Sequence, residues 1–132
     1  MVKKTITYTD YDGNERTEDF YFNLTQAELV EMEYSTDGGM RNKLQKAINE
    51  VDPRKLMTIF KDIVIKAYGI KSDDGKRFIK NDKVREEFME SEAYSMIFME
   101  LVTDTKAAED FINNIIPKVA TTRPNPIPAK NL

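Results

Sequence analysis

No cysteine, no histidine and no tryptophan occur among the 132 residues. Without cysteine there is no disulfide framework and no thiolate to act as nucleophile or metal ligand. Without histidine the chain lacks the commonest general base and the commonest transition-metal ligand, and a histidine pH switch is excluded. Serine and threonine hydroxyls have no imidazole partner, and no Ser-x-x-Lys motif takes its place. Long apolar runs are missing too, since no stretch reaches the about 18 residues of a membrane helix. The opening Met1-Val2-Lys3-Lys4-Thr5-Ile6-Thr7 has two lysines with no apolar run behind them, so neither a secretory signal nor a membrane anchor is expected there. The expectation is a soluble cytoplasmic protein with no enzymatic activity, cofactor or metal.

What is present is a globular composition, 40 % hydrophobic and 33 % charged, outside the disordered range. The length suits one domain, which buries about two-thirds of its unfolded surface. Two segments rich in β-branched and aromatic residues, Thr5 to Thr9 and Thr17 to Leu24, flank the turn Asp10-Tyr11-Asp12-Gly13-Asn14. Ile6 and Tyr8 alternate with threonines, and Phe20, Phe22 and Leu24 with Tyr21 and Asn23. Such alternation predicts a hairpin with one buried face, and a lone hairpin needs a helical body beneath it.

From Leu24 the period becomes helical. Thr25-Gln26-Ala27-Glu28 reads as a capping box opening a first helix that runs to about Tyr34. Ser35-Thr36-Asp37-Gly38-Gly39 breaks it, and Met40, Leu44, Ala47, Ile48 and Val51 give the stripe of a second. Asp52-Pro53 starts a third, with Leu56, Ile59, Phe60, Ile63, Val64, Ile65 and Ala67 inward and Gly69 as terminator. Ile70 to Asn81 reads as a polar connection pinned by Phe78 and Ile79. Asp82 is expected to cap a fourth helix carrying Val84 and Phe88. Ser91 caps a fifth with Tyr94, Ile97, Phe98 and Leu101. Thr103 or Asp104 caps a sixth with Ala107, Ala108, Phe111, Ile112 and Ile115, packed on the fifth as an antiparallel pair. Pro117, Pro124, Pro126 and Pro128 then exclude a helix. The predicted fold is α+β and mostly α: an N-terminal β-hairpin packed on about six helices, with a proline-rich C-terminal tail. Residues 1–117 form the single domain and residues 118–132 the flexible tail.

The motifs that resemble chemistry fail on inspection. Gly69-Ile70-Lys71-Ser72-Asp73-Asp74-Gly75-Lys76-Arg77 has a spacer one residue too long for a phosphate loop, and Arg77 where a hydroxyl should meet magnesium. Asp10-Tyr11-Asp12-Gly13-Asn14-Glu15 puts glycine fourth where a calcium loop needs it sixth. The pairs Glu86/Glu87 and Glu90/Glu92 have no tryptophan platform for a sugar.

Charge falls in blocks. Residues 1–37 carry 3 basic and 9 acidic groups, 38–85 carry 13 and 6, 86–116 carry 1 and 8, and the last 16 residues carry 3 basic groups. Opposite blocks either face each other within one fold or form complementary patches that stack copies. The net charge of −3 argues against nucleic acid as the partner. Protein surface remains. Met89, Met96 and Met99 cluster late among seven methionines, and Met96 and Met99 fall off the stripe of Ile97, Phe98 and Leu101. Met89, Tyr94, Met96 and Met99 are the candidate partner-binding residues, a face suited to another helix.

One run is specific. Lys4-Thr5-Ile6-Thr7-Tyr8-Thr9-Asp10-Tyr11-Asp12-Gly13-Asn14-Glu15, continuing through Arg16-Thr17-Glu18-Asp19-Phe20-Tyr21-Phe22-Asn23-Leu24-Thr25, resembles the opening of a tail assembly chaperone family. That family belongs to long-tailed, siphovirus-type phages and prophages of Gram-positive bacteria. Phe60-Lys61-Asp62-Ile63-Val64-Ile65-Lys66-Ala67-Tyr68-Gly69, Asp74-Gly75-Lys76-Arg77-Phe78-Ile79-Lys80 and Glu92-Ala93-Tyr94-Ser95 are similar to later parts of it. The similarity spans about residues 3–117.

The resemblance implies a chaperone that binds the helical tape measure protein, keeps it soluble and assists tail tube assembly, with the major tail tube protein as a second partner. It implies action in the cytoplasm of an infected or lysogenic host, absence from the mature virion, and no catalytic residues. A homo-oligomer is expected from the charge blocks, and no membrane or nucleic-acid partner. The alternative is a small cytoplasmic adaptor or regulatory domain that binds one folded protein.

Overall fold

Alternation with a period of two pairs β1 (Val2–Thr9) with β2 (Glu15–Phe22) as an antiparallel hairpin, Val2 opposite Phe22 and Thr9 opposite Glu15. The structure is a computed structural model and describes residues 1–50 and 52–116, with only the backbone of Ile48. Val51, the Ile48 side chain and the proline-rich segment expected as a tail lie outside the described residues. Helices follow in the expected places: α1 (Gln26–Ser35), α2 (Met40–Glu50), α3 (Pro53–Ala67), α4 (Asp82–Met89), α5 (Glu92–Thr103) and α6 (Thr105–Ile115). The fold is α+β and mostly helical, with six helices among the described residues.

The sheet is larger than one hairpin. Residues expected as a polar connection form β3 (Tyr68–Lys71) and β4 (Phe78–Ile79), and the sheet runs in the order β1-β2-β3-β4. The physical reason lies at the base of β2. Tyr21 and Phe22 have an open edge there, and α3 delivers Tyr68 and Gly69 directly beside it. The Asn23 N–H donates to the Ala67 carbonyl at 2.8 Å, which locks that approach. Gly69 therefore does not end the third helix. Tyr68 is its C-cap, and Gly69 is a buried strand residue whose absent Cβ would stand 2.7 Å from the Phe78 ring.

Two further boundaries shift by small, explicable amounts, and one alternative is resolved. The second strand ends at Phe22 instead of Leu24, because the Leu24 N–H turns to the free carbonyl of Ile115 at the end of α6, at 3.2 Å. Asn81 caps α4 in place of Asp82, its side chain accepting the Val84 N–H at 2.8 Å while Asp82 occupies the first turn. Asp104 alone links α5 to α6 and caps the latter.

The core gathers around Phe22, which is fully buried. Its ring meets Tyr68, Phe88 and Phe111 at centroid distances of 5.7, 5.8 and 5.2 Å, and Tyr68 stacks on Phe88 at 4.0 Å. Ile59, Ile63, Val64 and Ala67 supply the α3 wall, Ile97 and Leu101 the α5 wall, and Ile115 the α6 wall. The predicted face is present: Phe20 and Phe22 are buried, Ile6 and Tyr8 half-buried against them. β1 lies on α5 and α6, and an ion pair from Lys4 to Glu100 ties it to α5. By contrast α1 and α2 are peripheral; among the described side chains each buries one, Met32 and Ala47.

Candidate functional site

The two loops that resemble ligand sites spend their polar groups on themselves. In the β1–β2 turn the Asp10 carboxylate accepts the N–H groups of Asp12 and Asn14 at 3.0 and 2.9 Å, and Gly13 supplies the left-handed φ of 86°. Arg16 neutralises Asp10 and holds its carboxyl below the usual carboxylate range. In the β3–β4 turn, Asp74 accepts the Ser72 hydroxyl and the Lys76 N–H, and the Arg77 N–H donates to Ser72 Oγ. The N–H groups of Ser72, Gly75, Lys76 and Arg77 are thus engaged within the turn.

The predicted partner-binding residues divide into two groups. Met96 and Met99 share the outward face of α5, 42 % and 52 % exposed, opposite Ala93, Ile97 and Leu101. Tyr94 instead turns inward, its ring 5.3 Å from Phe88 and 5.9 Å from Phe98. Half-burial raises its phenol pKa, with the Asp62 charge adding to the effect. Met89 is half-buried at the end of α4. Among the four, Met96 and Met99 form an accessible apolar pair, while Tyr94 packs with Phe88 and Phe98 against the core.

A family model for phage tail assembly chaperones matches residues 1–124. The chain belongs to the phage tail assembly chaperone family. No curated protein and no solved structure matches it. Family membership makes phage tail proteins the class of partner, so the functional site is a protein-binding surface. Among the described residues no helix is long and apolar enough to cross a membrane.

A second outward apolar pair, besides that on α5, lies on α1. Leu29 and Met32 point into the body, while Val30 and Tyr34, one turn apart, are 53 % and 86 % exposed. The apolar residues of α1 thus run round both sides, and the helix has almost no amphipathic bias. A helix needed only for packing would keep its outer face polar. Sequence reasoning missed this face; the signal available was the poor period between Gln26 and Ser35.

One ion pair fixes α1 in place. Glu28 closes the capping box with Thr25, its carboxylate accepting the Thr25 N–H at 2.9 Å while Thr25 Oγ1 accepts the Glu28 N–H at 3.1 Å. The same carboxylate receives Lys80 Nζ at 2.8 and 2.9 Å, and Lys80 also donates to the Asn23 carbonyl at 2.7 Å. Burial opposes the charge on Glu28, but Lys80 and the Thr25 N–H outweigh it, and the net pKa is lowered. Lys80, only 10 % exposed at its side chain, is also lowered because its burial outweighs the help of Glu28. The geometry favours the ionised pair, since three acceptor oxygens surround the ammonium. Leu24, Met32, Ile65 and Arg85 line a hollow of about 420 Å³ beside it.

A second concavity lies between the α1–α2 loop, α2 and α3. This open groove of about 880 Å³ carries Lys43, Lys46, Arg54 and Lys55 on its walls, with Asp37 on its rim and Ala47 and Ile59 at its floor. Lys55 is paired with Glu50 at 2.9 Å. Among the described residues the other three cations have no ionic partner.

Proposed function

We propose that the chain binds the helical tape measure protein of a phage tail, keeps it soluble, and assists assembly of the tail tube around it. The observation that carries this reading is the pair of exposed apolar helix faces, Met96/Met99 on α5 and Val30/Tyr34 on α1. A long helical client has an apolar stripe that aggregates until covered, and exposed helix faces cover it by side-by-side packing. Methionine suits this work, because its flexible thioether adapts to many similar but unequal segments. Tail tube subunits are a second partner, recruited once the client is coated. Copies of the chain associate on the client as a homo-oligomer. The work is done without catalysis, in the cytoplasm of the infected or lysogenic bacterium, and the chaperone leaves before the virion is complete.

The test is co-expression with the tape measure protein encoded in the same phage or prophage. The expected result is that the tape measure protein moves from the pellet to the soluble fraction and is retained with the chain on a pull-down. A tape measure protein that stays insoluble and is not retained would refute the reading.

A further inference from the structure

The β1–β2 arm is acidic and bare at its tip, and the groove between α2 and α3 is basic. Residues 11–19 are all exposed, so no other described part of the chain covers them. Within that stretch stand Asp12, Glu15, Glu18 and Asp19 against the single Arg16, and Arg16 is shared between Asp10 and Glu18. Asp12, Glu15 and Asp19 are left without a cation among the described residues. Tyr11 projects from the turn, 79 % exposed. The groove offers the complement: among the described residues Lys43, Lys46 and Arg54 have no ionic partner, and they stand around an apolar floor.

We infer that the hairpin tip of one copy seats in the α2–α3 groove of the next. Asp12 and Glu15 face Lys46 and Arg54, and Tyr11 enters over Ala47 and Ile59. An aromatic ring beside a guanidinium adds a cation–π contact. The two surfaces differ, so the contact is heterologous and repeats from copy to copy, where a two-fold dimer would need one self-complementary patch. A hairpin tip buries less than the about 800 Å² per partner of a standard interface. The contact is therefore weak between free copies, forming there only at high concentration and low salt, and becomes persistent when copies line up along one client. This inference deepens the self-association reading above and rests on it.

The experiment is sedimentation of the full chain with two charge-reversed variants, Asp12→Lys/Glu15→Lys on the arm and Lys46→Glu/Arg54→Glu on the groove. All four positions are exposed, and thermal unfolding checks that each variant is folded. The parent is expected to self-associate with rising concentration at low salt and to weaken as salt shortens the screening length to about 3 Å at 1 M. Each variant alone is expected to associate at least about tenfold more weakly. An equimolar mixture restores association, because the basic arm of one fits the acidic groove of the other. Self-association of both single variants equal to the parent's overturns this contact and leaves the oligomer standing on another face. A parent that remains monomeric at high concentration and low salt overturns the oligomer and this contact together.

Discussion

The two halves of the β1–β2 hairpin share one register and one alternation, yet they sit in different surroundings. At the base Val2 and Lys4 lie opposite Phe22 and Phe20, and those rings form the centre of the core. Toward the tip Ile6 and Tyr8 lie opposite Glu18 and Arg16, and residues 11–19 are exposed. Alternation decides which face turns inward, but the cross-strand partner decides how far the core extends beneath it. Where Phe gives way to Glu18 and Arg16, the body ends and an arm begins.

That contrast is broken most severely at the base. Phe22→Ala is expected to cost about 3–5 kcal/mol, because the ring touches three other aromatics and leaves a cavity none of them can fill. Denaturant unfolding measures it, and a midpoint equal to the parent's would remove Phe22 from the core. The next largest effect tests the ion pair that fixes α1 beside the base. Glu28→Ala strands the buried Lys80 ammonium and should cost about 2 kcal/mol, more than Lys80→Met, which leaves Glu28 able to reach water. The sign with pH follows from the lowered carboxyl. Its contribution is fully present above the ordinary value of 4.5 and is lost as pH falls through the lower folded value. Glu28→Gln should therefore be destabilised at neutral pH and show a shallower acid limb, and parallel acid limbs would contradict the assignment.

Effects shrink along the arm. Tyr8 OH donates to Glu18 at 2.6 Å in an exposed setting, so Tyr8→Phe is expected to cost about 1 kcal/mol or less. Tyr11→Ser at the tip is expected to fall within about 0.5 kcal/mol while weakening self-association. A thermal midpoint for Tyr11→Ser that drops as far as that of Phe22→Ala would mean the tip is docked on the body.

Much of this was legible in the sequence because it rests on local rules. The capping box at Thr25 and Glu28, the Asp52-Pro53 start, the Ser91 cap and the inward stripes of α3, α5 and α6 all come from spacing within one element. What was missed depends on neighbours distant in the chain. β3 exists because α3 ends beside the open edge of β2, Gly69 is needed because Phe78 lies over it, and Lys80 reaches Glu28 across 52 positions. The candidate site was half legible. Met96 and Met99 fell off a clear stripe, so their exposure was readable, whereas Tyr94 carries the spacing of a core residue and packs as one. Val30 and Tyr34 were overlooked because an apolar residue in a helix is ordinarily assigned to its buried side.

The most direct test of the central claim removes the two apolar faces without touching the core. In the co-expression assay, Met96→Lys/Met99→Lys combined with Val30→Lys/Tyr34→Lys is expected to leave the chain folded, since all four side chains are exposed. The account predicts that this variant no longer keeps the tape measure protein in the soluble fraction, while the parent and the arm variant Tyr11→Ser still do. Full solubilisation by the folded four-site variant would contradict it.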